Sequence, residues 1–316
     1  MRIAIMGAGA MGCMFGAKYA RSGNEVCLID GWRDHVEKIK ADGLNVERDG
    51  ETYNVKLDIV YKAEDAVQQL QGPAELVMIF CKGMQTEETI QKAAPLIGPE
   101  TCVLTLQNGI GNPEIIGKYV AHDRVFFGAA SAGSVILGPG SIRDTTQNRP
   151  MLIHIMPLDR KINDKCKEVA AVISKAGMGT DATLYAEKYV WEKLSLNCCV
   201  NAVSVLTHMC LKDMNSDRNG FMLFNRIVAE VAAVAKAKGV DETYESLRSF
   251  VHLAAYKSSH YPSMLQDAHN KRPLELDTIT GAIVREGKKY GIPTPVNEAI
   301  LLLTSMISNN YANLWY

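Results

Sequence analysis

The first half of the chain alternates between short apolar runs and longer stretches in which apolar residues recur with helical spacing. The runs Arg2–Met6, 24–29 and 75–81 have the length and composition of buried strands. This alternation of strand and helix predicts a parallel sheet with helices on both faces. Further strands are expected at 101–106, 124–129, 151–156 and 179–183, a hairpin within 133–147, and helices at 13–22, 85–94 and 163–176.

The pattern changes near residue 184, where the strand-like runs end. Helical stretches follow at 185–206, 219–238, 243–257, 276–290 and 295–309, with no strand-like alternation between them. We therefore expect two domains. Residues 1–184 would form an α/β domain with a doubly wound parallel sheet, and residues 185–316 an all-helical domain.

Composition agrees with two globular domains and excludes several function classes. The chain has 316 residues, of which 47% are hydrophobic and 22% charged, and its net charge is −1. With no basic block or acidic tail, we expect neither nucleic acid nor a membrane as a partner. The first strand begins at residue 2, so we expect no signal peptide and a cytoplasmic protein. The eight cysteines lie mostly in apolar runs without a C-x-x-C spacing, which predicts reduced thiols and no metal site.

A glycine-rich turn follows the first strand directly. Gly7-Ala8-Gly9-Ala10-Met11-Gly12 has the spacing G-x-G-x-x-G and opens a helical run. The first glycine permits a tight turn, the second lets a pyrophosphate approach the backbone at the positive end of the helix, and the third allows close packing of helix on sheet. The second strand ends at Asp30, about 20 residues on, where an acid can bond a ribose hydroxyl. These features together predict a dinucleotide site in a Rossmann-type domain.

A polar stripe interrupts an otherwise apolar helix in the second half. Lys193, Asn197 and Asn201 are spaced four residues apart and so share one helix face, while their neighbours are largely apolar. A lysine and two carboxamides inside a buried helix are costly unless they line a cleft or find partners. The alternative is a solvated outer face, but the apolar flanks and the poor helix propensity of asparagine favour the cleft.

Residues 261–277 contain a second polar group with two interpretations. Taken alone, Ser263 and Asp267 are ordinary loop or cap residues, and Glu275 is an acid favoured by the dipole of a helix start. On local evidence this interpretation and a functional one are about equally supported.

Several motifs occur together and in order along nearly the whole chain. They are the glycine turn, Cys81-Lys82, Gln107-Asn108-Gly109, the stripe that begins at Lys193, and Ser263-Met264-Leu265-Gln266-Asp267 followed by Glu275-Leu276-Asp277. In this combination the chain resembles the ketopantoate reductases (2-dehydropantoate 2-reductases) of pantothenate biosynthesis. The resemblance implies a Rossmann domain joined to a helical domain, with the active site in the cleft between them.

The resemblance also implies roles for individual residues. Lys193 matches the catalytic lysine of the family and Glu275 its active-site glutamate. Hydride transfer to a ketone carbon leaves charge on the oxygen, and an ammonium group can donate a hydrogen bond and a proton there. Ser263, Asn197 and Asn201 match positions of the family that contact substrate. Asn108 matches an asparagine near the nicotinamide, which serves both substrate and cofactor, and Lys82 matches a lysine that lines the cofactor site.

Two departures from the family pattern affect the choice of cofactor and substrate. Members that use NADPH usually carry an arginine just after the second strand, where this chain has Asp30-Gly31-Trp32-Arg33. A carboxylate at Asp30 favours the ribose hydroxyl of NAD(H) and repels the phosphate of NADP(H), although Arg33 could still bind that phosphate. Some members also carry an asparagine where this chain has Leu211, and relatives with an acid after strand two reduce bulkier 2-keto acids.

The leading hypothesis is therefore reduction of 2-dehydropantoate to pantoate with NAD(P)H. One alternative is an NAD-dependent D-2-hydroxyacid dehydrogenase on the same scaffold. Another is a dinucleotide-binding sensor without turnover, against which Lys193 and Glu275 argue because a sensor needs no proton donor. The expected partner is a small 2-keto acid, and the sequence leaves a homodimer open.

Overall fold

The computed structural model describes residues 1–146 and 152–314, and its chain forms two compact units. The first comprises Met1–Gln107 and Asn112–Ala186. The second comprises Asn108–Gly111 and the chain from Glu187 onward. The units thus divide close to the change of pattern at residue 184, but nothing in the sequence pattern assigned Asn108–Gly111 to the second unit.

The described part of the first unit forms two sheets and six α-helices. Its strands are β1 Arg2–Met6, β2 Glu25–Ile29, β3 Leu44–Arg48, β4 Glu51–Val55, β5 Asp58–Val60, β6 Ala74–Ile79, β7 Ile97–Thr105, β8 Val125–Ala130, β9 Ser134–Gly138, β10 Ser141–Asp144, β11 Leu152–Pro157 and β12 Gly179–Ala182. Its helices are α1 Ala10–Arg21, α2 Arg33–Asp42, α3 Ala63–Gln69, α4 Thr86–Lys92, α5 Asn112–Ile116 and α6 Asp164–Lys175, with short 3-10 turns at Gly83–Gln85 and Ala94–Leu96.

The main sheet has the strand order β12-β11-β8-β7-β6-β1-β2-β5. The six strands from β5 to β8 are mutually parallel, and β11 runs antiparallel to β8. Strand order therefore reverses between β1 and β6, as in doubly wound sheets that bind ligands at the carboxyl ends of their strands. The predicted Rossmann-type fold is confirmed.

Strand β1 shows why the predicted strands are continuously apolar. Ile3 and Ile5 lie in one buried cluster with residues of α1 and α6. Ala4 and Met6 lie in a second cluster with residues of α3, α4 and α5. Because successive side chains of a strand point to opposite faces, both faces of this strand must be apolar when helices cover both sides of the sheet.

A four-stranded sheet of order β4-β3-β10-β9 was missed by the sequence analysis. Strands β9 and β10 form the expected hairpin, although Gln147 at its predicted end lies outside the described residues, as does Met151 before β11. Strand β10 pairs in parallel with β3, which is distant in sequence, so local periodicity could not indicate this pairing. Strand β5 and helices α2 and α3 were also missed.

The described part of the second unit is helical, as predicted. Its helices are α7 Ala186–Thr207, α8 Leu211–Ser216, α9 Arg218–Lys238, α10 Tyr244–Tyr256, α11 Ser263–His269, α12 Thr280–Tyr290 and α13 Pro295–Asn309, with a 3-10 turn at Tyr311–Asn313. Helix α9 contacts α8, α10, α12 and α13 and buries Phe224, Ile227 and Val231 among them. In residues 1–146 and 152–314, no helix is both long enough and apolar enough for a membrane span.

Two segments of the second unit differ from their predicted structure. The helix expected at 276–290 begins only at Thr280, because the chain before it forms turns. Ser263 and Asp267, which alone indicated a loop or cap, lie in α11, where Asp267 is buried and its carboxylate is 2.9 Å from the Arg272 guanidinium.

A carboxylate from α9 caps the start of α13. Oε1 of Glu230 accepts a hydrogen bond from Val296 N at 2.8 Å, while its Oε2 accepts from Asn297 N at 2.9 Å and from Asn297 Nδ2 at 2.7 Å. The residue before α13, Thr294, gives no side-chain cap. Glu230 therefore satisfies amide groups that the helix itself leaves unpaired.

We predict that Glu230→Ala lowers the free energy of unfolding by about 2–4 kcal/mol, because it removes a charged acceptor from three donors. Chemical denaturation monitored by circular dichroism measures this change. Arg226→Ala, at an exposed position one turn earlier on α9, is the matched control and should change stability little. Equal stability of the two variants would contradict a capping role for Glu230.

Candidate active site

Two glycines fix the shape of the turn between β1 and α1. Gly7 has φ +101°, which residues with a side chain rarely adopt, and its N–H donates to the Ile29 carbonyl at 2.9 Å. A Cβ on Gly12 would lie 1.9 Å from the Gly7 carbonyl oxygen. The start of α1 is therefore in backbone contact with the turn, at a distance that no other residue type allows.

Gly9 differs from Gly7 and Gly12 because no described residue fills the space beside it. It precedes α1 with φ −66°, and an added Cβ would lie more than 4 Å from every atom of residues 1–146 and 152–314 outside its own chain neighbours and helix. The first N–H groups of a helix have no partner within the helix and attract anions. A missing side chain in open space at a helix start fits a bound pyrophosphate, so Gly7, Ala8, Gly9, Ala10, Met11 and Gly12 fit the predicted cofactor turn.

Asp30, at the end of β2, is held by the backbone on both sides. Its Oδ2 accepts from Ala8 N at 2.7 Å and its Oδ1 accepts from Trp32 N at 2.8 Å. A carboxylate has about four lone-pair positions, so two such bonds leave capacity for a ribose hydroxyl. Arg33, the candidate partner of a 2′-phosphate, is exposed at the start of α2.

A network behind Asp30 was missed by the sequence analysis. His35 is buried, and its Nδ1 accepts from Gly140 N at 3.0 Å while its Nε2 lies 3.3 Å from the thiol of Cys13. That thiol donates to the Ala8 carbonyl at 3.0 Å. Burial lowers the pKa of His35, against an opposing effect of Asp30. Because Nδ1 accepts a hydrogen bond from Gly140, the ring proton lies on Nε2. The network joins residues 13, 35 and 140, which are distant in sequence, so no local pattern indicated it.

The neighbouring strands bring Lys82 and the end of β7 to the same sheet edge. Phe80 N donates to the Met6 carbonyl at 2.9 Å, which joins the ends of β6 and β1. Gln107 Nε2 donates to the Cys81 carbonyl at 2.8 Å, which joins β7 to β6. Lys82, next in the chain, is half-buried. The first unit thus gathers the glycine turn, Asp30 and Lys82 along the carboxyl ends of its parallel strands.

In the second unit, α7 carries the predicted stripe on a largely buried helix. Asn201 is 4% exposed, and Trp191, Leu194 and Cys198 of the same helix belong to the core. Asn197 is half-buried, and within the described chain its buried Nδ2 has no hydrogen-bond partner. A buried amide donor of this kind is costly unless a ligand accepts from it.

Lys193 is the charged member of the stripe. Burial lowers its pKa from the usual lysine value to about 8, and the nearby carboxylate of Glu275 acts in the opposite direction. A group with a pKa near neutral pH can both hold and release a proton at that pH, which suits a general acid. Desolvation and a charge partner at one residue are typical of functional sites.

A close backbone contact joins Asn108–Gly111 to the loop that carries Glu275. Ile110 N donates to the Thr278 carbonyl at 2.9 Å. Gly109 has φ +87°, and a Cβ there would lie 1.9 Å from the same carbonyl oxygen. Glycine at position 109 therefore places Asn108 beside the 275–278 loop. The sequence motif contained Gly109 but did not reveal this contact.

The second unit thus brings Lys193 and Glu275 within electrostatic reach and Asn108 to the loop of Glu275. Ser263 is exposed at the first position of α11, and its predicted contact with substrate stays a prediction. In residues 1–146 and 152–314, no group of three or more His, Cys, Asp or Glu could hold a metal ion.

Comparisons with known families match both units. Residues 3–155 match the family model described as ketopantoate reductase PanE/ApbA. Residues 186–308 match the model of the C-terminal domain of the same family. Together the two models account for most of the chain.

Individual relatives align over nearly the full length. A 2-dehydropantoate 2-reductase of Streptococcus pyogenes serotype M18 is 33% identical over 297 residues, 93% of this chain and 94% of the relative. The Lactococcus lactis enzyme of the same name is 32% identical over 299 residues, again 93% and 94%. Among solved structures, a D-mandelate dehydrogenase with NADH and anilino(oxo)acetate is 30% identical with a TM-score of 0.91, covering 99% of each chain.

We predict that Gly9→Ala and Gly12→Ala separate cofactor binding from folding. Gly9→Ala should keep the melting temperature of the wild type, because no described atom lies within 4 Å of the added methyl group. It should weaken dinucleotide binding if the pyrophosphate occupies that space, as the G-x-G-x-x-G turn predicts. Gly12→Ala should lower the melting temperature, because its methyl group overlaps the Gly7 carbonyl. Calorimetric titration with NADH and thermal unfolding measure the two effects. Unchanged binding by Gly9→Ala would remove the turn from the cofactor site.

We predict that kcat/KM for keto-acid reduction falls as pH rises through about 8, because Lys193 loses its proton there. The kcat/KM profile reports groups of the free enzyme. Glu275→Gln should move this alkaline limb, the fall of kcat/KM near pH 8, to lower pH, since the carboxylate raises the pKa of Lys193. Lys193→Ala should lower kcat by about 10²–10⁴-fold and remove the limb.

Lys188→Ala is the matched control for this profile, because Lys188 is half-buried on the same helix and pairs with Glu242 at 3.7 Å. It should keep the limb near pH 8. A wild-type profile that stays flat to pH 10 would exclude Lys193 as the titrating acid.

Proposed function

This chain belongs to the ketopantoate reductase family and is an NAD(P)-dependent oxidoreductase, and we propose that it reduces 2-dehydropantoate to pantoate with Lys193 as the general acid. The observation that carries the proposal is the paired influence of burial and Glu275 on the pKa of Lys193. Relatives named 2-dehydropantoate 2-reductase, at 33% identity over most of the chain, support the choice of substrate. Because the chain belongs to a family of enzymes, we do not retain the alternative of a dinucleotide-binding sensor without turnover.

The proposed reaction balances with one hydride and one proton. NAD(P)H supplies the hydride to C2 of the keto acid and leaves as NAD(P)⁺. The carbonyl oxygen takes a proton from the Lys193 ammonium, so the product is a hydroxyl group and a neutral lysine. Solvent then returns a proton to Lys193. The ammonium is most effective while negative charge develops on the carbonyl oxygen, so it stabilises the transition state more than the substrate.

The other polar residues of the second unit are proposed to bind substrate. Asn197 offers a buried amide donor for a substrate oxygen, and Asn201 lies one turn further on the same face. The Ser263 hydroxyl can donate to the substrate carboxylate. The Glu275 carboxylate can accept from the 4-hydroxyl of 2-dehydropantoate. Asn108, held beside the Glu275 loop, is proposed to contact both substrate and nicotinamide.

For the cofactor we propose the glycine turn, Asp30, Arg33 and Lys82, with a preference for NADH. Asp30 presents a carboxylate where the adenosine ribose is expected, and it would repel a 2′-phosphate. The D-mandelate dehydrogenase structure that this chain resembles contains NADH. If NADPH is used instead, Arg33 is the proposed partner of its phosphate.

A second candidate is a D-2-hydroxyacid dehydrogenase acting on bulkier 2-keto acids. The similarity to D-mandelate dehydrogenase, with a TM-score of 0.91 at 30% identity, favours it. So does Leu211, which is buried at the start of α8 where some reductases of the family carry a polar asparagine. Both candidates share the hydride and proton chemistry and differ in the group that the keto acid carries.

Steady-state rates on a panel of 2-keto acids, each with NADH and NADPH, test the proposal. We expect the highest kcat/KM with 2-dehydropantoate and a preference for NADH. Glu275→Gln should reduce kcat/KM for 2-dehydropantoate about tenfold more than for 2-ketoisovalerate, because only the first has a hydroxyl to donate to the carboxylate. Any effect of Glu275 on Lys193 acts on both substrates and cancels in this ratio.

Equal losses on the two substrates would remove Glu275 from recognition of the hydroxyl. A wild-type preference for 2-ketoisovalerate or an aromatic keto acid would favour the dehydrogenase. A tenfold preference for NADPH would contradict the proposed role of Asp30.

A further inference from the structure

Trp32 is a large aromatic residue held in place at the surface of the first unit. It is 43% exposed and directly precedes α2. Its ring lies parallel to that of His35, with centroids 4.9 Å apart and planes at 5°. Its backbone N–H donates to Asp30 Oδ1 at 2.8 Å. One face of the indole is therefore supported by protein while much of the side chain faces solvent.

The support beneath Trp32 is anchored from two other elements. His35 is fully buried, and it receives a hydrogen bond from Gly140, in the turn between β9 and β10. Its Nε2 lies 3.3 Å from the thiol of Cys13 in α1. That thiol donates to the carbonyl of Ala8 in the glycine turn. The imidazole is thus fixed, and it fixes the plane of the indole. An aromatic surface ordered in advance binds a flat ligand without a further loss of side-chain entropy.

We propose that the exposed indole of Trp32 is the surface on which the adenine ring of the dinucleotide stacks. This inference rests on the proposed placement of the cofactor at the glycine turn and Asp30. If Asp30 bonds the adenosine ribose, the adenine is attached to that same sugar. The Trp32 N–H donates to the same Asp30 carboxylate, so the residue that carries the indole is in direct contact with the proposed ribose partner. Stacking of a base on an aromatic side chain strengthens nucleotide binding by about 5- to 150-fold.

This role separates Trp32 from Asp30 in cofactor selection. Adenine is common to NADH and NADPH, so the indole strengthens binding of both cofactors by the same factor. Asp30 acts on the 2′ position and so changes their ratio. Trp32 therefore sets affinity for the adenosine half, and Asp30 sets the choice between the two cofactors.

Calorimetric titration with ADP-ribose, NADH and reduced nicotinamide mononucleotide tests the proposal. Trp32→Ala should raise Kd for ADP-ribose and NADH by about 5- to 150-fold, the range that loss of one base stack gives. It should leave binding of the mononucleotide unchanged, because that ligand has no adenine. Trp32→Phe keeps a stacking face and should restore most of the affinity.

Tyr119→Ala is the matched control, since Tyr119 is also 43% exposed but lies between α5 and β8, away from the carboxyl ends of the strands. It should bind all three ligands as the wild type does. Thermal unfolding of each variant verifies that the fold is retained.

Unchanged Kd for ADP-ribose in Trp32→Ala would overturn the stacking role while leaving the cofactor site in place. Equal losses for ADP-ribose and the mononucleotide would also overturn it, because they would indicate a distorted turn. If the wild type binds the mononucleotide but no ADP-ribose, the proposed placement of the cofactor fails and the role of Trp32 fails with it.

Discussion

The first unit depends on the backbone contact between the start of α1 and the turn that precedes it. With glycine at position 12, the helix begins so close to the Gly7 carbonyl that a single added carbon would lie 1.9 Å from it. Because of this close packing, the N-terminus of α1 faces the open space beside Gly9. It also brings Ala8 within 2.7 Å of the Asp30 carboxylate and Cys13 to the buried ring of His35. A larger residue at position 12 would disturb all of these contacts together.

In the second unit, Gly109 also permits a close backbone contact that a side chain would prevent. Gly109, with positive φ, lets the segment from Asn108 approach the Thr278 carbonyl, and a hydrogen bond from Ile110 closes the contact. This joins a segment from between β7 and α5 to the loop that carries Glu275. Glu275 in turn acts on Lys193 of α7, whose pKa is set by the balance of burial and this carboxylate. Each unit thus places its polar groups through glycine contacts that side chains would prevent.

Local patterns in the sequence were sufficient to predict the elements that carry the site. Strand β1, helix α1, the glycine turn and Asp30 follow from apolar periodicity and spacing, and the family resemblance that these motifs supported is confirmed by the family models. The second sheet was missed because β3 pairs with β10 across roughly a hundred residues, a distance at which periodicity carries no information on pairing. The same limit concealed the cap that Glu230 gives α13 and the bond from Gly140 to His35. The roles of Lys193, Glu275 and their neighbours stay proposals, since composition and spacing place residues but do not show what they bind.

The proposed reaction requires direct transfer of hydride from the nicotinamide to C2 of a 2-keto acid. NADH or NADPH carrying deuterium at one or the other C4 position, supplied with 2-dehydropantoate, tests it by mass spectrometry of the hydroxy acid formed. We expect one of the two labelled cofactors to deliver deuterium to C2 of the product and the other to deliver none, because a bound nicotinamide presents one face to the substrate. Formation of the hydroxy acid without deuterium from either labelled cofactor would contradict direct hydride transfer.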